Sequence, residues 1–196
     1  MARLFLIRHG ESEWNAERRL QGHADPPLSV RGREQVRQLA GMLKGRPMAR
    51  VITSDLTRAR QTAELLGYRA EPDAGWREIQ VGIWTGRNID ELRSKQGGEY
   101  RDWRAGRFTP PEGESWDAFG RRIGVALTAL ADEAGDVMVV CHGGVVRAAV
   151  WMLLGIEPGF LSPVSPASLT IVDTRPAPRL RAYGLKPELG DLDAPD

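Results

Sequence analysis

The chain has one cysteine in 196 residues, only three histidines, and no apolar run near the roughly 20 residues that cross a bilayer. A lone cysteine, Cys141, cannot close an internal disulfide. Inside an apolar stretch it reads as a small buried side chain whose chemistry is not needed. The histidines show no closely spaced ligand pair and there is no cysteine cluster, which argues against a zinc hydrolase, so no metal is expected. An excess of one charge is also missing: 27 Lys and Arg face 26 Asp and Glu, a formal net charge of +1. No global electrostatic footprint for nucleic acid or an acidic membrane results, and neither partner is expected. No internal repeat or low-complexity linker divides the chain. Its length fits one domain over residues 1–185, followed by a short polar tail, 186–196, rich in Pro and Gly and expected to fray. The first residues lead into a strand with no signal-peptide pattern, so the expected location is the cytoplasm.

What is present is concentrated at two corners. Leu4, Phe5, Leu6 and Ile7 lack polar alternation, as does a strand buried on both faces, and the run ends on Arg8, His9 and Gly10. Active sites of parallel α/β sheets lie beyond the carboxyl ends of the strands, and a glycine there permits a tight turn and close approach of a ligand. A second apolar run, 137–141, ends on His142, Gly143 and Gly144. Two of three histidines in matched strand-to-helix corners point to one shared pocket.

Helical spacing after Ser29, a plausible N-cap, places Val36, Leu39, Ala40 and Leu43 on one face. Residues 50–53 read as a strand, and Ser54 or Asp55 as the cap of a helix carrying Ala59, Ala63 and Leu66. Arg58 then falls in that helix's first turn, where free N–H groups and the dipole favour an anion. From Trp76 to Gly113 periodicity fades into a stretch rich in Gly, Arg and Trp, and residues 79–113 read as an irregular insertion with short helical pieces over the pocket. Loops of this kind set substrate choice on α/β scaffolds. Trp116, Phe119, Ile123, Ala126, Leu127 and Leu130 mark a core-packing helix. Residues 145–154 read as a buried helix, 168–173 as a strand and 179–183 as another. Strands alternating with helices predict a three-layer α/β/α sandwich with a mostly parallel central sheet. His23, in the loop before Pro26 and Pro27, reads as a surface histidine that touches the pocket rim at most.

Arg8-His9-Gly10-Glu11-Ser12, Trp14-Asn15, Gln21-Gly22, Pro27-Leu28-Ser29, Gly32, Ser54-Asp55-Leu56-Thr57-Arg58-Ala59, Gln61-Thr62-Ala63, Glu78, Gly82, Trp84, Gly113-Glu114-Ser115 and His142-Gly143-Gly144 occur in order over residues 3–147. Together they resemble the histidine phosphatase superfamily, the phosphoglycerate mutase-like family.

The resemblance implies the same α/β/α fold and a metal-independent phosphomonoester hydrolase without cofactor, acting on a small phosphorylated metabolite through a phosphohistidine. Matched position by position, it implies His9 as nucleophile and Glu78 as proton donor and acceptor. Arg8, Arg58 and His142, charged or hydrogen-bonding, hold the transferring group, and Asn15, Gln21, Gly22 and the Gly143 backbone contact substrate. Glu11 and Asp102 are alternative acids. Trp84 is followed by Thr85 where the commoner phosphatase pattern has an acidic residue, which bears on substrate contacts near this loop. The loop at 163–169 lacks the Asn often found there and is given no catalytic role. A cofactor-dependent phosphoglycerate mutase is the alternative within the family. The short segment from Glu78 to His142, and Val81-Gly82 in place of a mutase-like Tyr-Gly, favour the phosphatase. A phosphoester-binding module without turnover is the reading from another class, disfavoured because Arg8, His9, Arg58, Glu78 and His142 are all present. A homodimer is left open. The insertion does not choose among a sugar phosphate, a phosphoglycerate derivative, a nucleotide and α-ribazole phosphate.

Overall fold

Two apolar runs without alternation need cover on both faces, and the computed structural model, which describes residues 1–187, provides it. They become the adjacent parallel strands β1 (Arg3–Arg8) and β4 (Val137–Cys141), with Arg8 in register with Cys141. Beyond β4 lie β2 (Arg50–Thr53) and a two-residue edge strand, β3 (Glu71–Pro72), both parallel. On the other side of β1 come β5 (Leu169–Asp173), antiparallel to β1, and β6 (Arg179–Leu185), antiparallel to β5, giving the order β3-β2-β4-β1-β5-β6. The sheet is therefore mostly parallel, with its antiparallel pairs confined to one end.

Alternate residues of the central strands feed two cores. Phe5, Ile7, Met138 and Val140 pack with Val36, Leu39 and Leu43 of α2 (Val30–Leu43) and Ala59 and Ala63 of α3 (Thr57–Leu65). Leu4, Leu6, Val137, Val139 and Cys141 pack with Phe119, Ile123 and Leu127 of α5 (Trp116–Thr128) and Val145 and Ala149 of α6 (Gly143–Leu154). The result is the expected three-layer α/β/α sandwich. Cys141 has no solvent exposure, and burial pushes its thiol pKa up, as suits an inert core residue. Among the described residues no helix is long and apolar enough to cross a membrane. The expected tail lies, from residue 188 on, outside the described residues.

Two expectations need correction. The segment over the pocket does hold short helical pieces but is more regular than expected: after a 3₁₀ turn at Gly82–Trp84, residues Ile89–Arg104, α4, form two short helices that meet at a kink at Gln96. Its Leu92, Tyr100 and Trp103 bury with Trp84 in the core shared by α5 and α6. Nor do Ser54 or Asp55 cap α3. The N-cap is Leu56, without a side-chain bond, because Ser54 turns to His142 and Asp55 pairs bidentately with Arg77 at 2.6 and 2.7 Å. Asp25, from the loop before α2, supplies the cap instead, accepting from Thr57 N at 2.6 Å and Thr57 Oγ1 at 2.7 Å.

Candidate active site

Neighbouring parallel strands that both end in His-Gly place their imidazoles side by side. The His9 and His142 ring centroids lie 5.1 Å apart at an interplanar angle of 66°. Gly10 turns the chain away at once: a Cβ there would lie 2.5 Å from the Gly32 carbonyl oxygen, so only glycine admits α2 this closely. The freed Gly10 carbonyl accepts from His9 Nδ1 at 2.6 Å. A carbonyl can only accept, so the proton resides on Nδ1 and the Nε2 lone pair is left for a ligand. Burial, then Arg58 and Arg8, hold the His9 pKa well below its usual value, so the ring is neutral.

His142, the N-cap of α6, has no exposed surface. Its Nδ1 accepts from Arg58 Nε at 3.2 Å, which leaves the proton on Nε2, donated to Ser54 Oγ at 2.9 Å. Burial, followed by Arg58, His9 and Arg8, lowers its pKa well below the usual range. Of the two forms considered from the sequence, the neutral hydrogen-bonded one is therefore present.

Arg58 sits in the first turn of α3 as expected and is fully buried. Its Nη1 and Nη2 donate to the carbonyls of Ala24 at 2.7 Å and Gly22 at 3.0 Å, which aims the fork into the pocket and leaves one N–H on each. Arg8 donates to the Val164 carbonyl, and its buried Nε has no hydrogen-bond partner among the described residues. Burial pushes the pKa of Arg8 and of Arg58 down to about 10, still cationic at neutral pH. A Cβ on Gly143 would lie 3.4 Å from Arg8 Nε, so the start of α6 faces the Arg8 guanidinium. Thus the loop at 163–169, given no role from sequence, anchors Arg8.

Glu78 reaches the pocket from the irregular stretch after Trp76. One carboxylate oxygen accepts from its neighbour Ile79 N at 2.9 Å and the other from Gly144 N, in the first turn of α6, at 3.0 Å. The alternative acids do not reach the site. Glu11 accepts from Ser29 Oγ, Asp102 pairs with Arg107, and neither lines the pocket. His23 is not a free surface histidine: half-buried, it donates from Nε2 to the Glu78 carbonyl at 2.9 Å. Asn15 and Gln21 line the pocket with Gly22, and their side-chain oxygens are tied to Ser12.

From sequence no role in this pocket falls to Arg19, Arg147 or Trp116. Arg19, Arg104 and Arg147 join Arg8 and Arg58 in its lining, against one carboxylate, Glu78. Arg147 lies one helical turn after Gly143 on α6, 4% exposed and stacked over Trp116 at 4.9 Å, with Nη2 donating to the carbonyls of Arg104 and Pro158. Its i, i+4 spacing from Gly143 was the available signal. Tyr100, Trp103 and Trp116 form an aromatic wall. Arg8 Nε, Tyr100 OH, Trp103 Nε1 and Arg147 Nε are buried donors without a hydrogen-bond partner among the described residues, all on pocket-lining residues. Among the described residues, no group of three or more His, Cys, Asp or Glu side chains could hold a metal.

Paired imidazoles at adjacent strand ends, clasped by two arginines and faced by a carboxylate, define an enzyme that handles phosphoryl groups. The model of the histidine phosphatase superfamily (branch 1) matches residues 4–182, and the chain belongs to that family. It is a phosphatase of the histidine phosphatase type. At TM-score 0.88 and 29% identity it resembles a mycobacterial glucosyl-3-phosphoglycerate phosphatase solved with VO3, covering 95% of this chain and 100% of that one. Bacillus stearothermophilus YhfR is similar at TM-score 0.83 and 31% identity, over 94% and 97% of the two chains. In sequence, the chain is 35% identical over 170 residues to the Escherichia coli O1:K1 protein named probable phosphoglycerate mutase GpmB, covering 80% of this chain and 76% of that protein.

Proposed function

We propose that this chain is a metal-independent phosphomonoester hydrolase that forms a phosphohistidine on His9 and acts on a small phosphorylated metabolite. The observation that carries the proposal is the His9 ring: neutral, with its proton committed to Gly10 and its Nε2 lone pair free, in a pocket with Arg8 and Arg58 and 5.1 Å from the His142 ring.

In the first half-reaction Nε2 attacks phosphorus and the P–O ester bond breaks. The leaving alkoxide takes the proton of the Glu78 carboxyl. The transferring group stays between the forks of Arg8 and Arg58, which match its oxygens in geometry and charge, beside His142 and the N–H groups that open α6. Removing one such preorganised donor typically costs about 2.7 to 4 kcal/mol. In the second half-reaction water attacks phosphorus and gives its proton to the Glu78 carboxylate. The N–P bond breaks, inorganic phosphate leaves, and His9 recovers its lone pair.

The mutase reading is favoured by one finding, the 35% identity to a protein named as such. Against it stand the phosphatase resembled over 95% of this chain and Val81 where the mutase-like pattern has Tyr. Phosphorus NMR of the protein in EDTA with a panel of phosphoesters including 3-phosphoglycerate, beside His9→Ala, separates the two. Inorganic phosphate released by the intact protein alone is the expected result. Conversion of 3-phosphoglycerate to its 2-isomer with little phosphate released would replace this proposal by the mutase.

A further inference from the structure

Glu78 must present its carboxyl to a leaving oxygen, yet it lies on a stretch between two 3₁₀ turns with no helix or strand to fix its backbone. What fixes it comes from α5. Arg122 uses all five of its N–H donors there: Nε and Nη2 meet the two oxygens of Glu114 at 3.0 and 2.7 Å. Nη1 takes the carbonyls of Gly75 at 2.9 Å and Arg77 at 3.0 Å, and Nη2 takes that of Glu78 at 3.3 Å. Glu114 continues the clamp, accepting from Gln80 N and donating its own N–H to the Gln80 carbonyl at 2.8 Å. The guanidinium stacks over Phe119 at 4.9 Å, and a Cβ on Gly144, whose N–H holds the Glu78 carboxylate, would lie 3.3 Å from the Phe119 ring. This one ion pair thus takes the carbonyls of Gly75, Arg77, Glu78 and Gln80, beside the bond that His23 gives the Glu78 carbonyl, and neither of its members lines the pocket.

We propose that Arg122, locked by Glu114, is the positioning residue of the general acid: it touches no substrate and acts by holding the Glu78 backbone in place. This rests on the phosphatase reading. A lysine has no planar fork and three donors in place of five, so Arg122→Lys keeps the charge and loses the clamp. Misplacement of a catalytic group by about 1 Å can cost about 10²-fold in rate.

The test compares kcat/KM, which reports the first half-reaction, for glycerol phosphate and for 4-nitrophenyl phosphate, whose leaving group needs little protonation. Arg122→Lys is expected to lose about 10²-fold on glycerol phosphate and less than about threefold on the aryl ester. Inhibition by orthovanadate, which reads the anion pocket, should be unchanged. Glu114→Gln, which keeps the shape and gives up the charge, should shift the same ratio in the same direction by less, and it carries the test if Arg122→Lys does not fold. Equal loss on both substrates, or none on either, overturns the proposal while leaving the phosphatase intact. Failure of the wild type to release phosphate from either substrate overturns both.

Discussion

Gly144 is where the acid meets the phosphate site. A Cβ on it would lie 2.2 Å from Glu78 Oε1, an overlap that something must relieve, and the mobile partner is the carboxylate. Gly144→Ala should therefore displace Glu78 from its seat, lowering kcat/KM for an alkyl phosphate by about 10²-fold and sparing an aryl phosphate. Alanine is better than glycine inside a helix by about 1 kcal/mol, which offsets part of the strain. The variant is expected to be slow but nearly as stable as the wild type by urea denaturation; a large loss of stability with equal loss on both substrates would mean that α6 had moved instead. Ser54 makes the opposite case. Its hydroxyl accepts the buried His142 Nε2–H, so Ser54→Ala strands a donor and should cost about 1 to 3 kcal/mol in the same measurement.

At the scale of elements, α3 and the loop at 21–28 are one device. Asp25 caps α3 from outside while the carbonyls of Gly22 and Ala24, on the same loop, orient Arg58 in the helix's first turn. Asp25→Ala should lower stability by about 0.5 to 2 kcal/mol, the usual worth of a cap, and also weaken inhibition by inorganic phosphate, because the loop aims the arginine. Stability loss with unchanged inhibition would separate the two roles. That cap was not legible in the sequence, since Asp25 and Thr57 are 32 residues apart and Ser54 and Asp55 stood in the conventional place. The central strands were legible because burial on both faces leaves no polar position in them. By the same logic β3 was invisible: two exposed edge residues, Glu71 and Pro72, carry no apolar signal. Helix α4 hides for another reason. Ile89, Leu92, Tyr100 and Trp103 keep helical spacing, but the turn between them holds Gln96, Gly97 and Gly98, and Gln96 leaves helical geometry at φ −136°, ψ 36°. The residues at the two corners could be read from position alone. Their wiring could not, since Arg58 meets His142 across 84 residues and Gly144 meets Glu78 across 66.

For the whole molecule, setting β1 and β4 in the middle of the sheet puts both pocket imidazoles deep in the protein, which ties stability to pH. His9 and His142 take up protons well below the ordinary value of 6.5, and His23 is also lowered, in each case first by burial. Below that pH the unfolded chain holds more protons than the folded one, so stability must fall as pH drops through 6.5 and rise with pH in the same window. Asp55, its carboxyl lowered by Arg77, works in the same direction but only near and below its usual 3.8, so the windows do not overlap. The urea midpoint of the wild type should thus decline from pH 7 to pH 5, and a His9→Gln, His142→Gln variant should decline less steeply. Saturating orthovanadate should flatten the wild-type slope, because an anion between the rings favours their protonated forms. A flat wild-type profile, or a variant with an unchanged slope, would mean that the two imidazoles are not held neutral. The lone pair assigned to His9 Nε2 would then be lost to a proton below about pH 6.5 instead of staying open to phosphorus through that range.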